Sequence, residues 1–452
     1  MVAEATRTET RSWVPQHRAR RRRGPAGWLL ANAVPPLVVL VAWFGFFKWR
    51  SGLSLHQLFL PPSWEGYDGY WYLYIARHGY TAIWHCSGSA LPPHLPPGNY
   101  LCGSVGWFPG LGMVTRLVSW LPGVSIPVAG LIVAWACFYG LLFVMWRLLA
   151  DSVSLPTRWA CLMAAAVVPG SMYFAAVFPI AMCAGAMLGA LYFSLRSAAR
   201  FAPAFALLCA AWAGYSYITG IVMLPALAIT GIVALNGRRR IAALCGALGS
   251  ALGFGAVLLH QQLAVGIWDG YFIATRKFGV GAHNPLTSLL NHLRPAFHFG
   301  GATPAALHIE ATQTLLTLLI VLGAAVLTIY SFARNSRLQL AAATTYGAEL
   351  VPTATTRVAV TSGSRYWLGG FSRWIADRID AFELCFLMAT IGVWLVPYIA
   401  GGQESVYRPE AFIVLAIPLF RKLPWPLLVP LILVELWVAS HMFPLFVDAI
   451  LI

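Results

Sequence analysis

Long apolar runs separated by short basic stretches constrain this chain more than any other feature. The first run, near residues 27–49, is about 22 residues long. Ten more follow, near 126–149, 159–177, 180–195, 202–218, 220–236, 241–263, 312–332, 382–400, 409–421 and 425–446. A helix needs about 20 apolar residues to cross the hydrocarbon core, and it satisfies its own backbone polar groups while doing so. Charged residues make up only 10% of the 452, and hydrophobic residues 59%; soluble domains carry about 25% charged residues. The expected architecture is therefore an all-α polytopic membrane protein of about 11 transmembrane helices, with interfacial helices in the first outer loop.

The net charge of +15 is placed as a membrane protein places it. Arg7, Arg11, Arg18 and the run Arg20 to Arg23 precede the first apolar run, the pattern of a cytoplasmic tail beside an anionic leaflet. With that tail inside and the runs alternating, 22 of the 30 basic residues fall on the cytoplasmic side and 8 outside. No basic groove interleaved with aromatics is present, which speaks against nucleic acid. The first run exceeds the 7–15 residues of a signal-peptide core and has no small-residue cleavage site after it, so it reads as a retained anchor. The expected organisation is a basic tail (1–26), a transmembrane core (27–332), a cytoplasmic linker (333–381) and C-terminal transmembrane helices (382–452). Within the core, outer loops span about 50–125 and 264–311. Loops of that length are usually functional. No repeat of fixed period is evident, which disfavours transporters built from duplicated halves.

Six of the eight cysteines lie in apolar runs and read as small hydrophobes. Cys86 and Cys102 share the first outer loop, and an oxidising compartment makes a disulfide between them the expected outcome. Among the few acids, Glu435 lies inside an apolar run, where hydrogen bonds to neighbouring helices are the favoured reading over a functional role. Asp68 stands among aromatic residues just past the first span. Two readings are open from spacing alone: a shielded carboxylate acting as a general base, or the cap of an interfacial helix beginning at Gly69. Glu65, three residues earlier, would share a face with Asp68 if both were helical.

The stretch "YDGYWYLYIARHGY" (67–80) resembles the W-D-x-x-W-Y-x-x-I-A-x-x-G-Y signature of the PIG-V-like mannosyltransferases, the GPI mannosyltransferase II family of the GT-C superfamily. "WFPGLGMVTRL" (107–117), "VPGSMYFAAVFPIAMCAGAMLGALYFSLR" (168–196) and "SVYRPEAFIVLAIPLF" (405–420) are similar to later segments of that family, in the same order. Three departures mark a distant bacterial relative. The family's Y-S-E reads Val177-Phe178-Pro179, its R-S-N-G reads Tyr217-Ile218-Thr219-Gly220, and Tyr67 replaces the tryptophan before the aspartate.

The resemblance implies a GT-C-type bundle in the plasma membrane, working on its outer face. The implied reaction moves a sugar, mannose first, from a polyprenyl-phosphate donor to a glycolipid or glycan acceptor of the cell envelope, with inversion. Asp68 matches the aspartate taken as the base. Glu65, Tyr67, Trp71, His78 and Tyr80 would form the sugar side. A developing phosphate needs positive charge, for which Arg408 is the first candidate, followed by Arg276, Lys277 and Arg294, with His283 behind them. No cofactor is expected, because the outer carboxylates form no ligand set; a divalent metal is the alternative that some GT-C enzymes suggest. The competing readings are a lipid or sugar transporter or flippase, and a non-catalytic partner subunit of a glycosyltransferase.

Overall fold

The computed structural model describes residues 24–60, 63–66, 68–86, 100–150, 152–297, 305–347, 380–401 and 407–447. Its first half runs α1 (Pro25–Ser51), α2 (Leu55–Leu58), α3 (Gly69–His78), strands β1 (Ile83–Cys86) and β2 (Tyr100–Gly103), α4 (Gly110–Val118), α5 (Ile126–Leu148), α6 (Leu155–Val167), α7 (Met172–Ala175) and α8 (Ile180–Leu195). Then come α9 (Ala202–Ser216), α10 (Met223–Val233), α11 (Gly237–Val265), α12 (Gly270–Thr275), α13 (Pro285–Leu293), α14 (Ala305–Gly347), α15 (Ala381–Ala400), a 3-10 helix (Pro409–Lys422) and α16 (Trp425–Val447).

Among the described residues, six helices are long and apolar enough to cross a membrane, and four shorter apolar ones pack with them. The chain is thus a mostly helical, multi-pass membrane protein. Helix ends follow local chemistry. Ser154 Oγ accepts from the Thr157 N–H at the start of α6, and Asp380 accepts from the Phe382 N–H at the start of α15. Gly52, Gly266 and Gly401 close α1, α11 and α15 in the left-handed conformation that a Cβ disfavours. α9 and α11 approach most closely through Gly249 and Gly253. A Cβ on either would collide with the backbone of Leu207 or Ala211, so this is small-residue packing of the kind membrane helices use.

The structure departs from the sequence expectation in several places. The run 159–177 is not one helix. α6 stops at Val167, Pro169 withholds an N–H, and Gly170 turns with φ 74° beneath the carbonyl of Tyr407. The run 409–421 is not an α-helix but a buried 3-10 helix of 14 residues, with Pro409 at its start and Pro418 inside it. α14 continues to Gly347, into the stretch read as a linker. The first long loop is not only helical. β1 and β2 pair antiparallel, with Trp84 opposite Cys102, and the Cys86–Cys102 disulfide closes the ribbon. Glu435 is fully buried on α16, yet among the described residues neither carboxylate oxygen has a hydrogen-bond partner. Its helical neighbours Leu431, Ile432, Val438 and Ala439 are all apolar.

One end of the bundle gathers Arg147, which donates to Asn32 Oδ1 (2.9 Å) and Tyr192 Oη (3.4 Å). The other end carries the two long loops and the aromatic core beneath them. Trp64 is fully buried there, its Nε1 donating to the Leu58 carbonyl (2.6 Å).

Candidate active site

α3 starts at Gly69, which puts Asp68 at its N-cap position. The Asp68 side chain makes no capping bond; its Oδ2 accepts from Arg408 Nη1, a residue 340 positions away. Hydrogen bonds fix the segments on both sides of this pair. The Val177 N–H donates to the Trp64 carbonyl (3.0 Å), bringing residues 64–69 against the turn that carries Phe178. Arg408 precedes the 3-10 helix. There Gln313 Nε2 from α14 donates both to the Tyr407 carbonyl (2.9 Å) and to Glu410 Oε2 (2.8 Å). Glu410 also accepts from Thr314 Oγ1 (2.7 Å). A kinked, hydrogen-bonded strap therefore holds the guanidinium, whose carbon lies 5.4 Å from the Phe178 ring centroid. The Arg408 side chain is 8% exposed and that of Asp68 33%, so the carboxylate is the member that faces the open space.

That space is a cavity of about 450 Å³. Lys277, from the second long loop, supplies its other cation. Its Nζ sits 3.3 Å from Cys102 Sγ and 4.8 Å from the Phe278 ring centroid. Burial lowers the Lys277 pKa below the usual lysine value, and the charge of Asp68 partly restores it. Aromatic rings form the walls. Trp71 stacks on Trp107, with centroids 4.8 Å apart and planes 18° from parallel. Trp84, Phe178, Tyr217 and Tyr271 are among the other rings that line the cavity. Burial pushes the Tyr72 and Tyr271 phenols up, so they stay protonated and can donate. Gln261 joins the two loops: its Nε2 donates to the Val105 carbonyl (2.9 Å), and its Oε1 accepts from the Tyr271 N–H (3.1 Å). The lining thus has one carboxylate, two cations and flat apolar faces suited to a ring that carries hydroxyls.

Asp68, Trp71, Lys277 and Arg408 come together in this cavity; several other expected residues do not. Glu65 is not on a helix with Asp68, because α3 begins after both. It is half-buried away from the cavity; burial raises its carboxyl pKa and Arg77 opposes that rise. His78 is exposed at the end of α3 against Tyr74. Tyr80 is buried behind the wall, its Oη donating to the Trp107 carbonyl (2.7 Å). It positions Trp107 and does not face a ligand. Arg276 and Arg294 are exposed and do not line the cavity. His283 is exposed, with Nε2 2.9 Å from the Gly279 carbonyl, and its N–H donates to Ile399, tying the loop to α15. Tyr67 lies outside the described residues.

Phe178, Tyr217, Tyr271 and Trp84 were not read from the sequence as site residues. Phe178 and Tyr217 did carry a signal, since they sit where the resemblance to the PIG-V-like motifs breaks off. Among the described residues, no three His, Cys, Asp or Glu side chains converge as a metal ligand set. No protein-family model matches the sequence, and no curated protein matches it.

Proposed function

We propose that this chain is an integral-membrane glycosyltransferase of the GT-C type. In this reading it transfers a sugar, most simply mannose, from a polyprenyl-phosphate donor to a glycolipid or glycan acceptor of the cell envelope. The observation that carries the reading is the meeting of Asp68, Arg408 and Lys277 in one aromatic-walled cavity. The donor phosphate competes with Asp68 for Arg408 and takes Lys277 as its second cation. Asp68, released from its ion pair, accepts the proton of the acceptor hydroxyl as that oxygen bonds to the anomeric carbon. The bond from the anomeric carbon to the phosphate oxygen breaks with inversion, and polyprenyl phosphate leaves with its charge held by the two cations. Trp71 and Trp107 offer the face on which a sugar ring stacks. The site would face outward, across the plasma membrane from a cytoplasmic N-terminus.

Purified protein in detergent, given polyprenyl-phosphate mannose labelled in the sugar together with envelope lipid extract, should move the label to an acceptor at a rate set by enzyme concentration. Donor binding without transfer would identify a non-catalytic partner subunit. Movement of the labelled lipid between leaflets of reconstituted vesicles, with no transfer, would identify a flippase. The same assay with polyprenyl-phosphate arabinofuranose decides which sugar the aromatic wall accepts.

A further inference from the structure

A second cavity, of about 110 Å³, lies where α8 ends and α11 and α15 begin. Phe178 of the Asp68 cavity precedes α8 and Arg196 of this one follows it, so the 16 helical residues between them separate the two by about 25 Å. α11 and α15 are both among the helices long and apolar enough to cross a membrane. Their first turns therefore lie at the depth of lipid headgroups. Leu195 and Leu235 form an apolar wall, and Arg196 and Arg239 bring cations to the opening, beside Asp380 and Phe382.

Among the described residues, cations outnumber carboxylates around this cavity. Arg421 donates to Asp380 (3.3 Å) and lies 3.6 Å from Glu383, which also pairs with Lys422. Among the described residues, these two carboxylates lie with four cations: Arg196, Arg239, Arg421 and Lys422. Arg421 and Arg196 stand 3.8 Å and 4.7 Å from the same Phe382 ring, so the positive charge is concentrated on one partly desolvated spot. A cavity of this size holds about four water volumes, room for a tetrahedral oxyanion with its ester oxygens. Guanidinium groups match such an oxyanion with paired N–H donors, and basic pockets between helix ends are where membrane proteins hold anionic headgroups.

We infer that this cavity binds a phosphate group, that of the headgroup of an anionic lipid in the leaflet opposite the Asp68 cavity. The leucine wall receives the glycerol and first methylenes, and Arg196 and Arg239 hold the phosphate. The site is independent of sugar transfer, and its test reads lipid directly.

The full chain in mild detergent is titrated with phosphatidylglycerol or phosphatidylcholine and weighed intact by native mass spectrometry. One phosphatidylglycerol should be retained at least tenfold more tightly than phosphatidylcholine, as expected when a net negative charge meets this cluster. Arg196→Ala and Arg239→Glu should each abolish that preference. Arg200→Ala, outside the cavity, should leave it intact. Arg239→Glu keeps the test informative should Arg196→Ala misfold, because Arg239 is exposed and a carboxylate is favoured in the first turn of a helix. Equal retention of the two lipids, or an unchanged preference in Arg239→Glu, would overturn the proposal. Displacement of the lipid by excess inorganic phosphate alone would overturn the lipid source and assign the cavity to a soluble oxyanion.

Discussion

Asp68→Asn separates chemistry from packing, because it preserves shape while removing both a proton acceptor and the charge that faces Arg408. Removing one partner of a fully buried ion pair costs about 3–5 kcal/mol. Here the carboxylate is a third exposed, so solvent screening reduces the expected loss of stability to roughly 1–2 kcal/mol. The effect on turnover should be larger. A positioned general base contributes about 10²- to 10⁴-fold, and the loss should fall on kcat with KM for the donor unchanged or lowered, since one negative charge has left the phosphate site. The double variant Asp68→Asn/Arg408→Met closes the argument. It removes the cation whose carboxylate is gone and should recover part of the stability, while turnover stays lost. The assay is sugar transfer under saturating donor, alongside thermal unfolding of the same preparations in the same detergent. Retention of more than about a tenth of wild-type kcat by Asp68→Asn would refute Asp68 as the base. So would a loss confined to donor binding.

Three further outcomes follow from the same geometry. Lys277 has a lowered pKa, so its charge, and with it donor affinity, should fall as pH rises through that lowered value, before a free lysine would deprotonate; Lys277→Arg should flatten the profile in a binding titration. The sign for the fold is opposite: the unfolded chain binds more protons over that interval, so Lys277 contributes stability that grows with pH there. Reducing the Cys86–Cys102 disulfide, which closes a loop with a sequence separation of 16, should cost about 3 kcal/mol on the chain-entropy account; because Cys102 touches Lys277 and the ribbon carries Trp84, donor binding should weaken too, and unchanged binding in dithiothreitol would break that link. Finally, Gly253→Val should abolish monodisperse protein on size exclusion because its Cβ meets the Ala211 backbone, whereas Gly255→Val, with open space around it, should behave as wild type.

The membrane class was legible in the sequence because it depends on composition and run length, which need no three-dimensional partner. α8 begins and ends where its apolar run does, and α1, α5, α15 and α16 lie within a few residues of theirs. The start of α3 at Gly69 was legible too, since Asp68 is a residue type that precedes helices. Less was legible wherever backbone geometry depends on a distant neighbour. The 3-10 helix at Pro409–Lys422 is as apolar as an α-helical span, and its form goes with two prolines and with the ties that Gln313 and Thr314 make to its first turn. The β-ribbon has no strong alternation to announce it, and what secures it is a disulfide.

By itself, the sequence determined that this chain belongs in a membrane, and it singled out an acid among aromatics as unusual. Choosing among the cations was beyond it. Arg276 and Lys277 are neighbours with the same charge, yet one is exposed and the other lines the cavity. Asp68 read equally well as a cap or as a base. Tertiary structure selected the cations and turned the Asp68 side chain from its own helix to Arg408, for one physical reason. A charge costs little where water reaches it and much where water does not, and only the folded chain shows that Arg408 and Lys277 are the cations drawn out of water beside Asp68.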